Sequence, residues 1–265
     1  MQNNNFIKKS DKLHFSITVT GRCNLNCSYC HFYCNINKKE YSKDITDDLF
    51  DNYIKIINKF KENCLGQVSF RFSGGEPLLL NERLFKLSKR AYTELNLKPY
   101  VLTNGTLLDK WIVDKSIKNN IAGYVVSLEN PFDMDKGSIN TLHNLKKINE
   151  LNSDELPIIP GAVIIKNGHF KHLSKIADFF YDEIGSIPLM TELTYGYYET
   201  PTEKQLNELY FNTLTIIEKY FSKVSLRLFP YIIPEFLSNS VEGKEYLTEL
   251  DFNNKYGISN REKNF

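Results

Sequence analysis

The chain has 265 residues, enough for one α/β domain of barrel size or at most two small domains. Apolar residues make up 42% and charged ones 25%, the balance of an ordinary globular protein, and a net charge of +1 gives no bulk field to attract nucleic acid or an anionic membrane. No apolar run approaches a membrane span and the start carries no signal-peptide core, so the expectation is a cytoplasmic protein, in a reducing compartment where thiols persist.

Residues 1–12 are polar and basic and read as a disordered or extended segment. From Leu13 to Thr20 the pattern alternates, with Leu13, Phe15, Ile17 and Val19 on one face and His14, Ser16, Thr18 and Thr20 on the other, which predicts a strand. It delivers Gly21 and a cysteine-rich loop. Over 44–63, Leu49, Phe50, Tyr53, Ile54, Ile57 and Phe60 recur at helical spacing, with Asp47 and Asp48 where the helix dipole favours acids. A strand from Gln67 to Ser73 runs into Gly74-Gly75-Glu76-Pro77. Helices are predicted over about 81–96, 107–118, 137–151, 169–184 and 202–222. Strands are predicted at Tyr100 to Thr103, Ala122 to Glu129, Ile158 to Lys166 and Pro188 to Thr194, with a short last one from Val224 to Phe229. In the helix near 137–151 the predicted apolar face is Ile139, Leu142, Leu145 and Ile148. Strands alternating with helices make repeated βαβ units and a parallel sheet. Periodicity does not separate a partial barrel from a doubly wound sheet, but in both the reactive loops collect at the C-terminal strand ends.

Three of the five cysteines lie in Cys23-Asn24-Leu25-Asn26-Cys27-Ser28-Tyr29-Cys30, spaced C-x3-C-x2-C at the end of the first strand. Three thiolates on one short loop hold three corners of a 4Fe–4S cube and leave the fourth iron open to a small molecule. A zinc site would need a fourth ligand, which Cys34 or His31 could supply. The two glycines of Ser73-Gly74-Gly75-Glu76-Pro77 remove Cβ atoms at a strand end and let a ligand approach the backbone; without the cysteines the same stretch is a plain strand–helix turn.

Taken jointly, these two motifs resemble the radical S-adenosylmethionine (SAM) superfamily, and the likeness covers roughly residues 12–200. The resemblance implies an α/β fold, a partial (β/α)6 barrel with a short C-terminal extension: a core over 13–200, then a helix, strand and tail over 201–265. It implies one 4Fe–4S cluster on Cys23, Cys27 and Cys30, with SAM chelated by the open iron. The Gly74-Gly75-Glu76 turn and Ser73 then receive the methionine end of SAM. Tyr29 resembles the aromatic beside adenine, although a local packing aromatic reads the same way. Thr103-Asn104-Gly105 resembles the strand-three turn of the family, which puts Thr103 toward the SAM or substrate pocket and Asn104 with it. Val126-Ser127-Leu128-Glu129 resembles the strand-four motif, giving Ser127 a SAM contact and setting Glu129 where the family usually has Asp.

The stretches Gly161 to Lys166 and Thr191 to Thr194 resemble the branch containing the molybdenum-cofactor GTP cyclase and the peptide-modifying enzymes. No cysteine follows Cys64, which argues against auxiliary clusters and against the cyclase itself.

In such a barrel the helix-covered face is apolar. Val68, Phe70 and Phe72 fit that face, and Ser69, Arg71 and Ser73 turn inward with His14, Ser16 and Thr18. By the same alternation Lys166, Met190, Glu192 and Thr194 are inside. Buried charge needs a partner, so Arg71 and Glu192 are the candidate catalytic contacts and Lys166 and Thr194 the candidate cofactor contacts; a structural Arg71–Glu192 ion pair is the competing reading. Cys34 reads as a substitute ligand, a neutral thiol or a hydrogen-atom donor, and Cys64 has no assigned role. The expected activity is abstraction of hydrogen from a C–H bond of a peptide or small metabolite, fed by a flavodoxin- or ferredoxin-type donor, with no nucleic-acid or membrane partner. The alternatives are an enzyme acting on an anionic nucleotide or sugar, and an iron–sulphur or zinc module without turnover.

Overall fold

The computed structural model describes residues 13–27, 30, 43–63, 66–132, 136–165, 167–192 and 202–220, with backbone only at 63, 136–138, 164, 167 and 189–192. In chain order these give β1 (Leu13–Thr20), α1 (Asp47–Asn63), β2 (Val68–Gly74), α2 (Glu82–Leu95), β3 (Tyr100–Thr103), α3 (Lys110–Lys118), β4 (Gly123–Glu129), α4 (Lys136–Leu151), β5 (Ile158–Ile165), α5 (Leu173–Ile184), β6 (Leu189–Glu192) and α6 (Glu203–Tyr220). Short 3-10 turns at Pro77–Leu80 and Asn167–His172 precede α2 and α5. The predicted last strand, 224–229, lies outside the described residues.

The six strands form one sheet in the order β1-β2-β3-β4-β5-β6. The pairs β1–β2, β2–β3, β3–β4 and β5–β6 are parallel. Sequential order identifies the singly wound β/α class, the (β/α)6 partial-barrel class, because a doubly wound sheet reverses its strand order partway. One compact unit draws on Met1–Leu128 and Asp133–Gly161, the other on Glu129–Phe132 and Ala162–Phe265.

In the first unit the alternation holds as far as Thr18; at a register shift after it Thr20, expected on the open face, is buried and gives its hydroxyl to Asp44. Ile17, Val19, Phe70, Phe72, Val101, Tyr124, Val126 and Leu128 are buried, whereas Ser16, Thr18 and Ser69 are exposed and Arg71 and Ser73 half-buried. The register Phe15↔Phe70, Ile17↔Phe72 and Phe72↔Val101 aligns the apolar residues into one continuous row. Burying each large side chain in it contributes on the order of 1.5–3 kcal/mol. Helices cover that row: Phe50 of α1 meets Phe72 with ring centroids 6.2 Å apart, and Ser116 of α3 shares a 2.6 Å hydrogen bond with Tyr124. Arg90 of α2 reaches Asp51 of α1 at 2.7 Å and lies over the Phe50 ring.

Two predicted helix faces differ from the observed ones. On α1, Phe50, Ile54 and Ile57 are buried, but Leu49 and Phe60 stay largely exposed. On α4 the buried face is Thr141, Asn144, Leu145 and Ile148, while Ile139 and Leu142 face solvent at 57% and 49% exposure. The reason is polar. Asn144 Nδ2 donates to Asn104 O at 2.8 Å and Lys147 Nζ to Gly105 O at 2.9 Å, so the turn after β3 sets the rotation of the helix.

The second unit is described by itself. Helices α5 and α6 bury Leu173, Ile176, Ala177 and Phe180 with Leu209, Ile216 and Ile217. They are tied by Ser174 Oγ to Asn212 Oδ1 at 3.0 Å and by Tyr220 Oη to Asp178 Oδ1 at 2.5 Å. Among the described residues no helix is long and apolar enough to cross a membrane.

Candidate active site at the strand ends

The cysteine loop leaves β1 at Gly21 and returns at Lys43, and its base is closed. Gly21 N–H donates to Lys43 O at 3.0 Å and Ile45 N–H to Val19 O at 2.8 Å. Arg22 forks onto Asp44, Nε to Oδ1 and Nη2 to Oδ2 at 2.8 Å each, and Thr20 Oγ1 donates to Asp44 Oδ1 at 2.7 Å. Burial pushes the Asp44 carboxyl up, but the hydrogen bonds from Arg22 and Thr20 outweigh it and hold the group below the usual carboxylate range. Nothing in the sequence pointed to this pair, because residues 22 apart meet only once the loop has folded back.

The Gly74-Gly75-Glu76-Pro77 turn grips the same loop. Gly75 N–H donates to Thr20 O at 2.9 Å and Glu76 N–H to Arg22 O at 2.7 Å. A Cβ on Gly74, whose φ is +144°, would lie 2.1 Å from Thr20 O, and one on Gly75 2.3 Å from Arg22 O. Both glycines are thus required by the approach of the cysteine loop, whereas the sequence suggested the approach of a ligand.

Glu76 and Thr103 also depart from expectation. Glu76 is fully buried, and all of its bonding goes to the protein: Oε1 accepts from Leu78 N–H at 3.0 Å and Thr103 Oγ1 at 2.8 Å, and Oε2 from Asn104 N–H at 2.8 Å. Burial raises its pKa, and the donors on Asn104, Leu78 and Thr103 pull it back only in part. Thr103 follows Val101 onto the helix-covered side, is 2% exposed and spends its hydroxyl on Glu76. Its side chain lies on the covered side of β3, off the open face. Alternation on a four-residue strand places Tyr100 and Leu102, not Thr103, on the open face.

The three sulphurs lie on half-buried residues of one loop, and none of them is in a disulfide. Cys30 N–H donates to Cys27 O at 3.1 Å, and Leu25 N–H to Cys23 Sγ at 3.4 Å. Burial pushes the Cys23 thiol up, against the Leu25 N–H and the Asn104 amide that favour a thiolate. Among the described residues no three His, Cys, Asp or Glu side chains converge on one ion. An all-thiol set with N–H donors aimed at sulphur fits the cube.

On the open face of β1 and β2, His14 Nδ1 and Ser69 Oγ are 3.0 Å apart, Arg71 Nε donates to Ser16 Oγ at 3.2 Å, and Ser16 Oγ is 3.0 Å from Ser73 Oγ. Arg71 was expected to be a buried cation. It is half-buried, and no carboxylate pairs with it among the described residues. Burial and the neighbouring Arg71 charge both push the His14 pKa down, toward the neutral ring. Ser127 is half-buried beside Val126, whose partner on β3 is Thr103. The first unit thus assembles the cysteine loop, the glycine turn, Asn104, Arg71 and Ser127. Glu129 ends β4 and counts with the second unit. Tyr29, His31, Cys34, Cys64, Lys166 and Thr194 lie outside the described residues, as does the Glu192 side chain, so the expected Arg71–Glu192 pair does too.

Fold and site together define a singly wound β/α protein with a three-thiol loop clamped at the mouths of its first two strands. Residues 17–162 match the radical SAM superfamily, and the chain belongs to it. Membership makes the chain an enzyme by class and implies SAM and an iron–sulphur cluster as cofactors. A cysteine-type anaerobic sulfatase-maturating enzyme of Clostridium perfringens is 28% identical over 178 residues, 61% of this chain and 46% of that one. A GTP 3′,8-cyclase of Clostridium botulinum is 28% identical over 116 residues, 44% of this chain and 34% of that one. The chain thus spans less than half the length of these relatives. Among solved structures, anSMEcpe with bound AdoMet aligns with a TM-score of 0.60 at 18% identity, covering 81% of this chain and 61% of that one. Streptococcus suis SuiB bound to its precursor peptide SuiA aligns at 0.58 and 19%, covering 86% and 51%. At such identities the structures establish the fold.

Proposed function

We propose that the chain carries a single 4Fe–4S cluster on Cys23, Cys27 and Cys30 and abstracts a hydrogen atom from a C–H bond of a peptide. The observation that carries this reading is the three-thiol loop, closed at its base by Arg22–Asp44 and held by the Gly74-Gly75 turn. When bound, the cluster and SAM supply a 5′-deoxyadenosyl radical by one-electron cleavage of SAM. The chain's own residues bind and aim. The backbone beside Ser73, Gly74 and Gly75 offers acceptors to the methionine end of SAM, and Ser127 lies on the half-buried face of β4. On the strength of the family resemblance alone, Tyr29, Glu129, Lys166 and Thr194 are further cofactor contacts and Glu192 a substrate contact. Electrons come from a flavodoxin- or ferredoxin-type donor.

A peptide substrate is supported by the SuiA-bound neighbour and by a relative whose name is sulfatase-maturating. An anionic small metabolite is the second reading, favoured by Arg71 standing half-buried with no carboxylate partner among the described residues. The test is anaerobic reconstitution, iron and sulphide analysis, and a 5′-deoxyadenosine assay with dithionite. The expected result is about four irons per chain and SAM cleavage, both abolished when Cys23, Cys27 and Cys30 are replaced by Ala. About eight irons, or stoichiometric zinc without cleavage, would overturn it.

A further inference from the structure

We infer that Asn104 is the positioning residue of the cysteine loop, turning a side-chain N–H onto Cys23 Sγ and so setting the electron affinity of the cluster that this sulphur helps to hold. The inference rests on the cluster reading above but concerns a residue for which that reading needs no such role.

Three side chains close a ring of hydrogen bonds that all run one way. Asn104 Nδ2 donates to Asn24 Oδ1 at 2.9 Å, Asn24 Nδ2 to Thr106 Oγ1 at 2.8 Å, and Thr106 Oγ1 to Asn104 Oδ1 at 2.6 Å. Its direction is not arbitrary. Thr106 N–H also donates to Asn104 Oδ1, at 3.0 Å, and a flipped amide would set N–H against N–H there. With Oδ1 fixed on Thr106, both Asn104 N–H groups face the cysteine loop. One is spent on Asn24, and the other has Cys23 Sγ at 3.7 Å, within reach of an N–H···S contact.

The amide is mounted on a turn held from the other sides as well. Asn104 N–H donates to buried Glu76, Asn144 donates to Asn104 O, and Lys147 Nζ donates to both Gly105 O and Thr106 O, at 2.8–2.9 Å throughout. A donor so fixed cannot swing away from the sulphur when charge is added. An N–H dipole aimed at a cluster thiolate favours the more negative, reduced state, because the added electron strengthens that attraction. Leu25 N–H supplies a second donor to the same sulphur. Removing the Asn104 donor should therefore make the cluster harder to reduce without removing a ligand.

The experiment uses the full chain, reconstituted anaerobically, with wild type, Asn104→Ala and Asn104→Asp titrated by EPR-monitored potentiometry alongside iron and sulphide counts. Asn104→Asp keeps an acceptor for Thr106 but has no N–H, so it carries the test if the Ala variant fails to fold. Both variants should keep wild-type iron content and shift the midpoint potential to more negative values, the Asp variant further. Unchanged potentials would overturn the inference, and so would loss of cluster from both variants, which would make Asn104 purely structural. A wild-type chain that takes up no iron–sulphur cluster would instead overturn the reading beneath it.

Discussion

Gly75 has almost no room: a Cβ there would stand 2.3 Å from Arg22 O and 2.9 Å from Gly21 O, both backbone atoms of the cysteine loop. Backbone yields far less readily than a flexible side chain, so overpacking of this kind costs about 1–3 kcal/mol. Gly75→Val is therefore expected to displace the loop and lower iron uptake together with SAM affinity, read by iron analysis and by calorimetry with SAM. Full iron content with only SAM binding weakened would restore the simpler idea that the glycine serves ligand approach. Motif spelling does not separate the two roles, since a missing Cβ admits a ligand or a neighbouring strand equally well.

At the scale of elements, the stem between β1 and α1 is held by one charge-assisted fork. The Asp44 pKa is lowered in the folded chain, because the Arg22 and Thr20 hydrogen bonds outweigh burial. An acid depressed by folding stabilises above its unfolded value, about 3.9, and that contribution is lost as pH falls through the folded value. The group is about a third exposed, so solvent screening keeps the gain to about 1 kcal/mol or less. Amide exchange at Gly21 and Ile45 should accordingly quicken as pH drops below about 4, relative to the sheet interior. Asp44→Asn should show fast exchange already at neutral pH and no further acid step. Acid-insensitive protection in the wild type would mean that the backbone bonds alone hold the stem. Helix α4 teaches a related lesson. Ile139 and Leu142 satisfied the helical period, yet the bonds from Asn144 and Lys147 to the β3 turn rotated them outward.

For the molecule as a whole, the polar open face of β1 and β2 carries Arg71, the cation proposed above to meet an anionic substrate. Arg71 donates to Ser16 and has no carboxylate partner among the described residues. Arg71→Ala should leave the melting temperature and substrate-free SAM cleavage close to wild type, while substrate-dependent turnover falls by about 2–4 kcal/mol in transition-state terms. A loss of thermal stability with turnover unchanged would make Arg71 a structural residue.

The alternating pattern of β1 and β2, the C-x3-C-x2-C loop and the Gly-Gly-Glu-Pro turn were legible in the amino-acid sequence because each is local: a period of two, a ligand spacing, a missing Cβ. These determined the β/α class, the faces of Phe70 and Phe72, and the family. What Glu76 and Thr103 do was decided only in three dimensions. Both belong to recognisable motifs, but a hydrogen bond between the turn after β2 and the end of β3, 27 residues apart, has no periodic trace. The same holds for Arg22 with Asp44, for the Asn24–Thr106–Asn104 ring, and for the rotation of α4. Side-chain period registers the apolar stripe that drives burial, whereas polar partners are chosen by which backbone ends meet. That choice exists only once the strands have paired.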